Sequence, residues 1–217
     1  MAKLVNLWKS REKIGEYLTY PVTTGKIMLY GSSFFTRWGY AQAKQQLAEA
    51  TDGKLDVINH GFGGATVDEL LYHYPRLVTP YNPSAVVIRS GYNDIHQKLT
   101  PEETVFLLRR LIGWLQTDNP NIRIFLLNIF DAKILTEETH AIFTHYNKLM
   151  ADLAAETENV EILDINEFFY EKPEDIGDLS KLRDVFVEDG LHMTDEAYVE
   201  FAKFFAPRLL NALNASK

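Results

Sequence analysis

Five short runs of this chain, residues 26–31, 55–60, 85–90, 123–129 and 160–165, are apolar almost throughout rather than at every second position. A strand with one wet face alternates apolar and polar residues. A run that stays apolar is covered on both faces, as parallel strands are. Between the runs lie segments with helical periodicity, clearest at 42–50, 67–72, 101–115 and 140–155, with a terminal helix at 195–213 and an additional N-terminal one at about 3–19. Thr100-Pro101-Glu102-Glu103 is a strong helix start, combining an N-cap, a proline in the first turn and acids at the positive end of the dipole. Strands alternating with helices require right-handed crossovers, which predicts an α/β fold with a three-layer α/β/α sandwich.

The rest of the composition narrows the partners. With 217 residues, 46% of them hydrophobic, and no repeat or linker, a single domain over 1–217 is expected. A net charge of −8 disfavours nucleic acid. The absence of cysteine removes disulfides, thiolate metal sites and cysteine nucleophiles. The N-terminus breaks into charge before a signal-length apolar stretch develops, and no run reaches the length of a membrane span. A soluble, cytoplasmic protein is therefore expected, with homo-oligomerisation left open.

The open edge of a parallel sheet, at the carboxyl ends of its strands, is where such folds place their sites. Ser33, Gly64 and Asn93 each fall just beyond a different strand run, and Asp189-Gly190-Leu191-His192 follows the fifth after a long excursion. A His beside a carboxylate is the usual general base near neutral pH, and Ser33 is the hydroxyl it would activate. Gly64 precedes Thr66-Val67-Asp68-Glu69, a capping-box pattern, so its amide lies just outside a helix start. The side chain of Asn93 offers a further donor for a developing oxyanion, beside the backbone N–H groups of Ser33 and Gly64. Singly, each piece has a plain reading: a serine cap, a glycine connection, an Asn-Asp turn. Their convergence on one edge is what points to a serine hydrolase.

Together these segments resemble the blocks of the SGNH hydrolases, the superfamily of GDSL-type esterases, lipases and acylhydrolases. Gly31-Ser32-Ser33 is similar to the nucleophile block, with Ser32 where Asp is commoner, as in the branch resembling platelet-activating-factor acetylhydrolase-like esterases. Gly61-Phe62-Gly63-Gly64 resembles the second block, Gly91-Tyr92-Asn93-Asp94 the third, and Asp189-Gly190-Leu191-His192 the last, with Met193 where Pro or Leu is frequent. The resemblance implies a flavodoxin-like five-stranded parallel sheet in the order 2-1-3-4-5. It further implies a catalytic set of Ser33, Asp189 and His192, an oxyanion hole of Ser33, Gly64 and Asn93, and ester hydrolysis without cofactor or metal.

Substrate choice is less constrained. Residues 166–189 carry eight acids against three bases, and if they overhang the site they repel anions. That leads to an expectation of short-chain, acetyl-type esters of neutral substrates such as carbohydrates. Lysophospholipase or thioesterase activity on longer acyl groups, or ligand binding without catalysis, are the alternatives. Of the aromatics near the motifs, Phe34, Phe35, Trp38, Tyr72, Tyr74 and Tyr92, most are expected in the core, and Tyr92 is a candidate for contact with substrate. Arg89, in an apolar run, is expected to be ion-paired and His60 to be structural. His73, His96, His140 and His145 lack the spacing and accompanying acid of zinc-hydrolase motifs.

Overall fold

A computed structural model describes residues 11–215. Five parallel strands, β1 (Ile27–Gly31), β2 (Val57–Asn59), β3 (Ala85–Arg89), β4 (Arg123–Leu127) and β5 (Val160–Leu163), form one sheet in the order β2-β1-β3-β4-β5. Ile27 pairs with both Val57 and Ala85, and Ala85 with Arg123, so the inner strands start level and end level. The expected sheet order and three layers are present.

Alternation along the buried strands divides the core into two halves. Met28, Tyr30, Val86, Ile88, Ile124 and Leu126 face one side, against α1 (Arg11–Tyr17), α4 (Val67–Leu77), α6 (Pro101–Asp118) and α7 (Glu137–Ala155). Ile27, Leu29, Val87, Phe125 and Leu127 face the other, against α2 (Ser33–Trp38), α3 (Tyr40–Glu49) and α8 (Asp195–Asn214). A short helix, α5 (Tyr92–His96), follows β3. The terminal helix α8 carries a stripe of Ala197, Phe201, Phe205 and Leu209, four residues apart, with Tyr198, Ala202 and Ala206 beside it, all buried. Each large apolar side chain removed from water there contributes about 2–3 kcal/mol.

Element boundaries depart from the sequence reading where the signal was not apolar periodicity. The helix expected over 67–72 runs on to Leu77 through Pro75, which has no N–H for the Leu71 carbonyl, while Tyr74 and Leu77 remain buried against the core. Helix α7 begins three residues earlier than expected, since Glu137 and Glu138 are exposed and only the Thr136 cap, accepting from the Thr139 N–H at 3.3 Å, marks the start. The start read at Thr100 is present: its hydroxyl accepts from the Glu103 N–H at 3.1 Å while the Glu103 carboxylate accepts from the Thr100 N–H at 2.8 Å. Of the additional N-terminal helix, Arg11–Tyr17 is helical and the part before residue 11 lies outside the described residues. Of the aromatics near the motifs, Phe34, Phe35, Trp38 and Tyr74 are buried as most were expected to be, while Tyr72, on the outer face of α4, is 48% exposed.

Candidate active site

Strand β1 ends at Gly31, where backbone crowding leaves no room for a side chain: a Cβ there would lie 2.3 Å from the Arg89 carbonyl oxygen of β3. Ser32 then leaves the sheet and α2 begins at Ser33. The Ser33 N–H is thus the first of a helix, a position whose donor has no partner inside the helix. Two buried side chains hold this short helix. Asn59, at the end of β2, donates to the carbonyls of Phe35 at 2.7 Å and Gly39 at 3.0 Å and accepts from the Gly61 N–H at 3.0 Å. Tyr198 of α8 donates to the Phe34 carbonyl at 2.7 Å. These bonds to the carbonyls of Phe34, Phe35 and Gly39 fix the segment bearing Ser33 to its neighbours.

The segment bearing His192 is a tight loop. Val187 donates to the His192 carbonyl at 2.8 Å and Thr194 to the Val185 carbonyl at 3.0 Å. Gly190 supplies the turn with φ +67, and a Cβ at this glycine would crowd Ile134 N at 3.2 Å, so space and backbone both require glycine. One carboxylate oxygen of Asp189 accepts from the N–H groups of Leu191 and His192, both at 2.9 Å. The other lies 2.6 Å from His192 Nδ1. Burial works against the charged form of Asp189, yet the backbone N–H of His192, its ring and the N–H of Leu191 outweigh it and bring the carboxyl to about 2. An ionised Asp189 can only accept, so Nδ1 carries the proton and the Nε2 lone pair faces Ser33 Oγ, 2.9 Å away. Three side chains separated by up to 159 residues in sequence form one hydrogen-bonded line.

The segments expected to bind the oxyanion are tied together as well. Asn93, half-buried on α5, donates one amide hydrogen to the Ala65 carbonyl at 2.9 Å. Its neighbour Asp94 is fully buried and accepts from Val67 N–H, the first of α4, at 2.8 Å. Thr66 N–H donates to Glu69 at 3.1 Å, as the capping-box pattern implied. Gly64, at φ +69, sits in the turn ahead of this start. Gly91 begins α5 at φ +99, and a Cβ there would fall 2.5 Å from the Tyr146 ring.

A cavity of about 20 Å³ opens beside Ser33 and His192, bounded by Phe34, Arg89, Tyr92, Phe130, Leu191 and Tyr198. Tyr92 is therefore where a substrate contact was expected, stacked on Phe143 at 5.2 Å. Phe130, Leu191 and Tyr198 were not singled out in the sequence, since nothing in their spacing separates cavity lining from core. Arg89 was, but its expected ion pair is absent among the described residues. Strand alternation turns it onto the aromatic side of the sheet, where it lies over the rings of Phe130 and Phe34. None of the acids in 166–189 lines the cavity. Glu167 and Asp184 pair with Arg208 and Lys133, while the aromatics of the stretch, Phe168, Phe169 and Phe186, are buried.

The remaining histidines are dispersed. His60 is fully buried, stacked on Tyr17 at 4.8 Å with Nδ1 2.7 Å from the Leu77 carbonyl, and burial lowers it to about 4. His140 faces Asp131 and His145 faces Glu102. Among the described residues no three His, Cys, Asp or Glu side chains gather as metal ligands would, and no helix is long and apolar enough to cross a membrane.

The model of the GDSL-like Lipase/Acylhydrolase family matches residues 29–199, from the first strand into the last helix. The chain belongs to that family. Solved structures with the same fold include a protein of Streptococcus pneumonia provisionally titled a platelet activating factor, at 19% identity over 94% of this chain and 93% of that one, TM-score 0.73. The acetyl xylan esterase AlAXEase is 21% identical over 87% of this chain and 99% of its own, TM-score 0.68. The psychrotrophic esterase EstA from a Pseudoalteromonas species, in a form inhibited by monoethylphosphonate, is 18% identical over 86% and 99%, TM-score 0.65. Among curated protein sequences none matches this chain.

Proposed function

We propose that this GDSL-family hydrolase is a serine esterase that cleaves short-chain carboxylic esters through an acyl-Ser33 intermediate. The observation that carries the reading is the continuous line from Asp189 through His192 to Ser33, at 2.6 and 2.9 Å. His192 Nε2 takes the Ser33 proton as Oγ attacks the ester carbonyl. Ser33 N–H, Gly64 N–H and the Asn93 amide stabilise the oxyanion that forms. Collapse expels the alcohol, which leaves with the proton held by His192. Water, deprotonated by the same ring, then attacks the acyl-enzyme and releases the acid. Asp189 keeps the ring in the productive tautomer and stabilises its charged state.

The acyl preference rests on the narrowness of the cavity beside the nucleophile, walled by Phe34, Phe130 and Tyr198, which favours a short acyl group. A carbohydrate acetyl ester remains the reference substrate. None of the acids of 166–189 lines the cavity, and of them only Asp189 bonds to a residue that does. The test is hydrolysis of nitrophenyl esters of two to ten carbons, with turnover falling as the chain lengthens. Ser33→Ala should abolish turnover, and a phosphonate should label Ser33 in the intact protein. A Ser33→Ala variant as active as wild type would overturn the proposal, and labelling at Ser32 would move the nucleophile by one residue.

A further inference from the structure

Arg89 takes no part in the chemistry above, yet it lies in the same cavity as Ser33 and His192. Five other arginines, Arg37, Arg109, Arg123, Arg183 and Arg208, have carboxylate partners near the surface. Arg89 is 3% exposed and has none. Its Nε and Nη1 are buried and donate to nothing in the protein. The guanidinium carbon lies 5.1 Å from the centre of the Phe130 ring and 6.0 Å from that of Phe34. Burial lowers its pKa to about 10, against the pull of Tyr146, Tyr198 and Tyr92, so it stays cationic at neutral pH.

A buried cation with unmade hydrogen bonds is costly, and two aromatic faces recover part of that cost without satisfying any N–H. A fold with no other need of this charge would be served as well by an apolar residue. A guanidinium with unmade hydrogen bonds, in a residue that lines the nucleophile's own cavity, points to an acceptor that arrives with the substrate. We propose that Arg89 is a specificity-determining residue that binds a carboxylate borne by the substrate, making short esters with an ionised carboxylate a few bonds from the scissile carbonyl the preferred class. A planar carboxylate matches the guanidinium plane and fits a narrow space between aromatic rings. Arg37, the other cation near the site, lies 3.9 Å from Asp189. This inference rests on the esterase reading and refines its substrate.

The test compares ionised and neutral isosteres on the wild-type enzyme. With the charge on the acyl side, the pair is nitrophenyl hemisuccinate and nitrophenyl methyl succinate. With it on the alcohol side, the pair is 2-acetoxypropanoate and its amide. Binding at Arg89 should raise kcat/KM for the ionised member of one pair at least tenfold, and the pair that responds identifies the side. In Arg89→Met, whose apolar side chain suits the aromatic surroundings, that ratio should fall to about one with thermal stability unchanged or raised. A wild type that cleaves nitrophenyl acetate but gives ratios near one in both pairs overturns the role of Arg89 and leaves the esterase standing. A destabilised Arg89→Met that keeps the full ratio makes Arg89 a structural residue. If wild type cleaves no ester, the esterase reading fails. Calorimetry of succinamate with wild type and Arg89→Met then decides the site by itself: saturable binding lost in the variant supports it, and no binding to wild type overturns it.

Discussion

Asp94 is the carboxyl whose environment most affects stability. It is fully buried, with one oxygen accepting from Val67 N–H at 2.8 Å and the other, Oδ2, buried without a partner. Burial raises it from 3.8 to about 7; the backbone bond to Val67 opposes the rise and the charge of Asp68 adds to it. The folded protein therefore holds this proton more tightly than the unfolded chain does. Its stability is fullest below pH 4 and falls as the pH rises toward 7, with a slope of at most about 1.4 kcal/mol per unit, then levels off. Asp94→Asn keeps the acceptor for Val67 N–H and cannot ionise. The amide nitrogen in the place of Oδ2 meets no acceptor, and neither does the O–H of the neutral carboxyl, so this cost is common to both and does not vary with pH. Between pH 5 and 8 the difference should move by about 3 kcal/mol in favour of the variant, two units of titration at the slope above. Urea unfolding followed by circular dichroism at pH 5, 6, 7 and 8 measures it, and titrations common to both proteins, such as that of His60, cancel. A difference that stays constant across this range would refute the reasoning, because it would mean that Asp94 ionises in the fold as easily as in water.

Asn93→Ala should lower kcat by roughly 10²–10³ with little change in KM, since an oxyanion donor acts in the transition state; a change confined to KM would make it a substrate-binding residue. Asp189→Asn should cut kcat by on the order of 10²–10⁴ through loss of the productive His192 tautomer, measured by steady-state kinetics on folded variant; unaltered kcat would remove Asp189 from the relay. Gly91→Ala should destabilise the protein by more than about 1 kcal/mol in denaturant unfolding, because φ +99 and the Tyr146 ring 2.5 Å away both exclude a side chain. Chelator should leave ester hydrolysis unchanged, since nucleophile, base and acid are all side chains; a loss restored by zinc would contradict the mechanism.

The sheet was readable because buried parallel strands leave uninterrupted apolar runs, and each expected run contains its strand. The helices were readable where a stripe faced the core, as at Leu108, Leu111 and Leu115 of α6, and less so where caps alone marked the limit, as at Thr136. Short helices escaped: five residues at Tyr92–His96 cannot show a period, and the segment reads as a turn. The positions of Ser33, Asp189 and His192 were legible because glycines and strand ends bracket them. The cavity wall was not, since Phe130 and Tyr198 come from other parts of the chain and meet only in the fold. Arg89 was conspicuous in an apolar strand, but sequence alone could not tell a paired charge from an unpaired one.

The separation of Ser33 from His192 also bears on when the protein becomes active. A chain emerging from its N-terminus carries Ser33 and all five strands of the sheet before His192 exists. His192 is held by the loop that leads into α8, and α8 reaches the nucleophile helix through Tyr198, stacked on Trp38 at 5.8 Å and bonded to the Phe34 carbonyl. Until that last helix docks, the serine is an ordinary alcohol. Under the proposed mechanism partly folded chains are chemically silent, and the onset of hydrolysis during refolding would be a clock for the closing of the C-terminal helix.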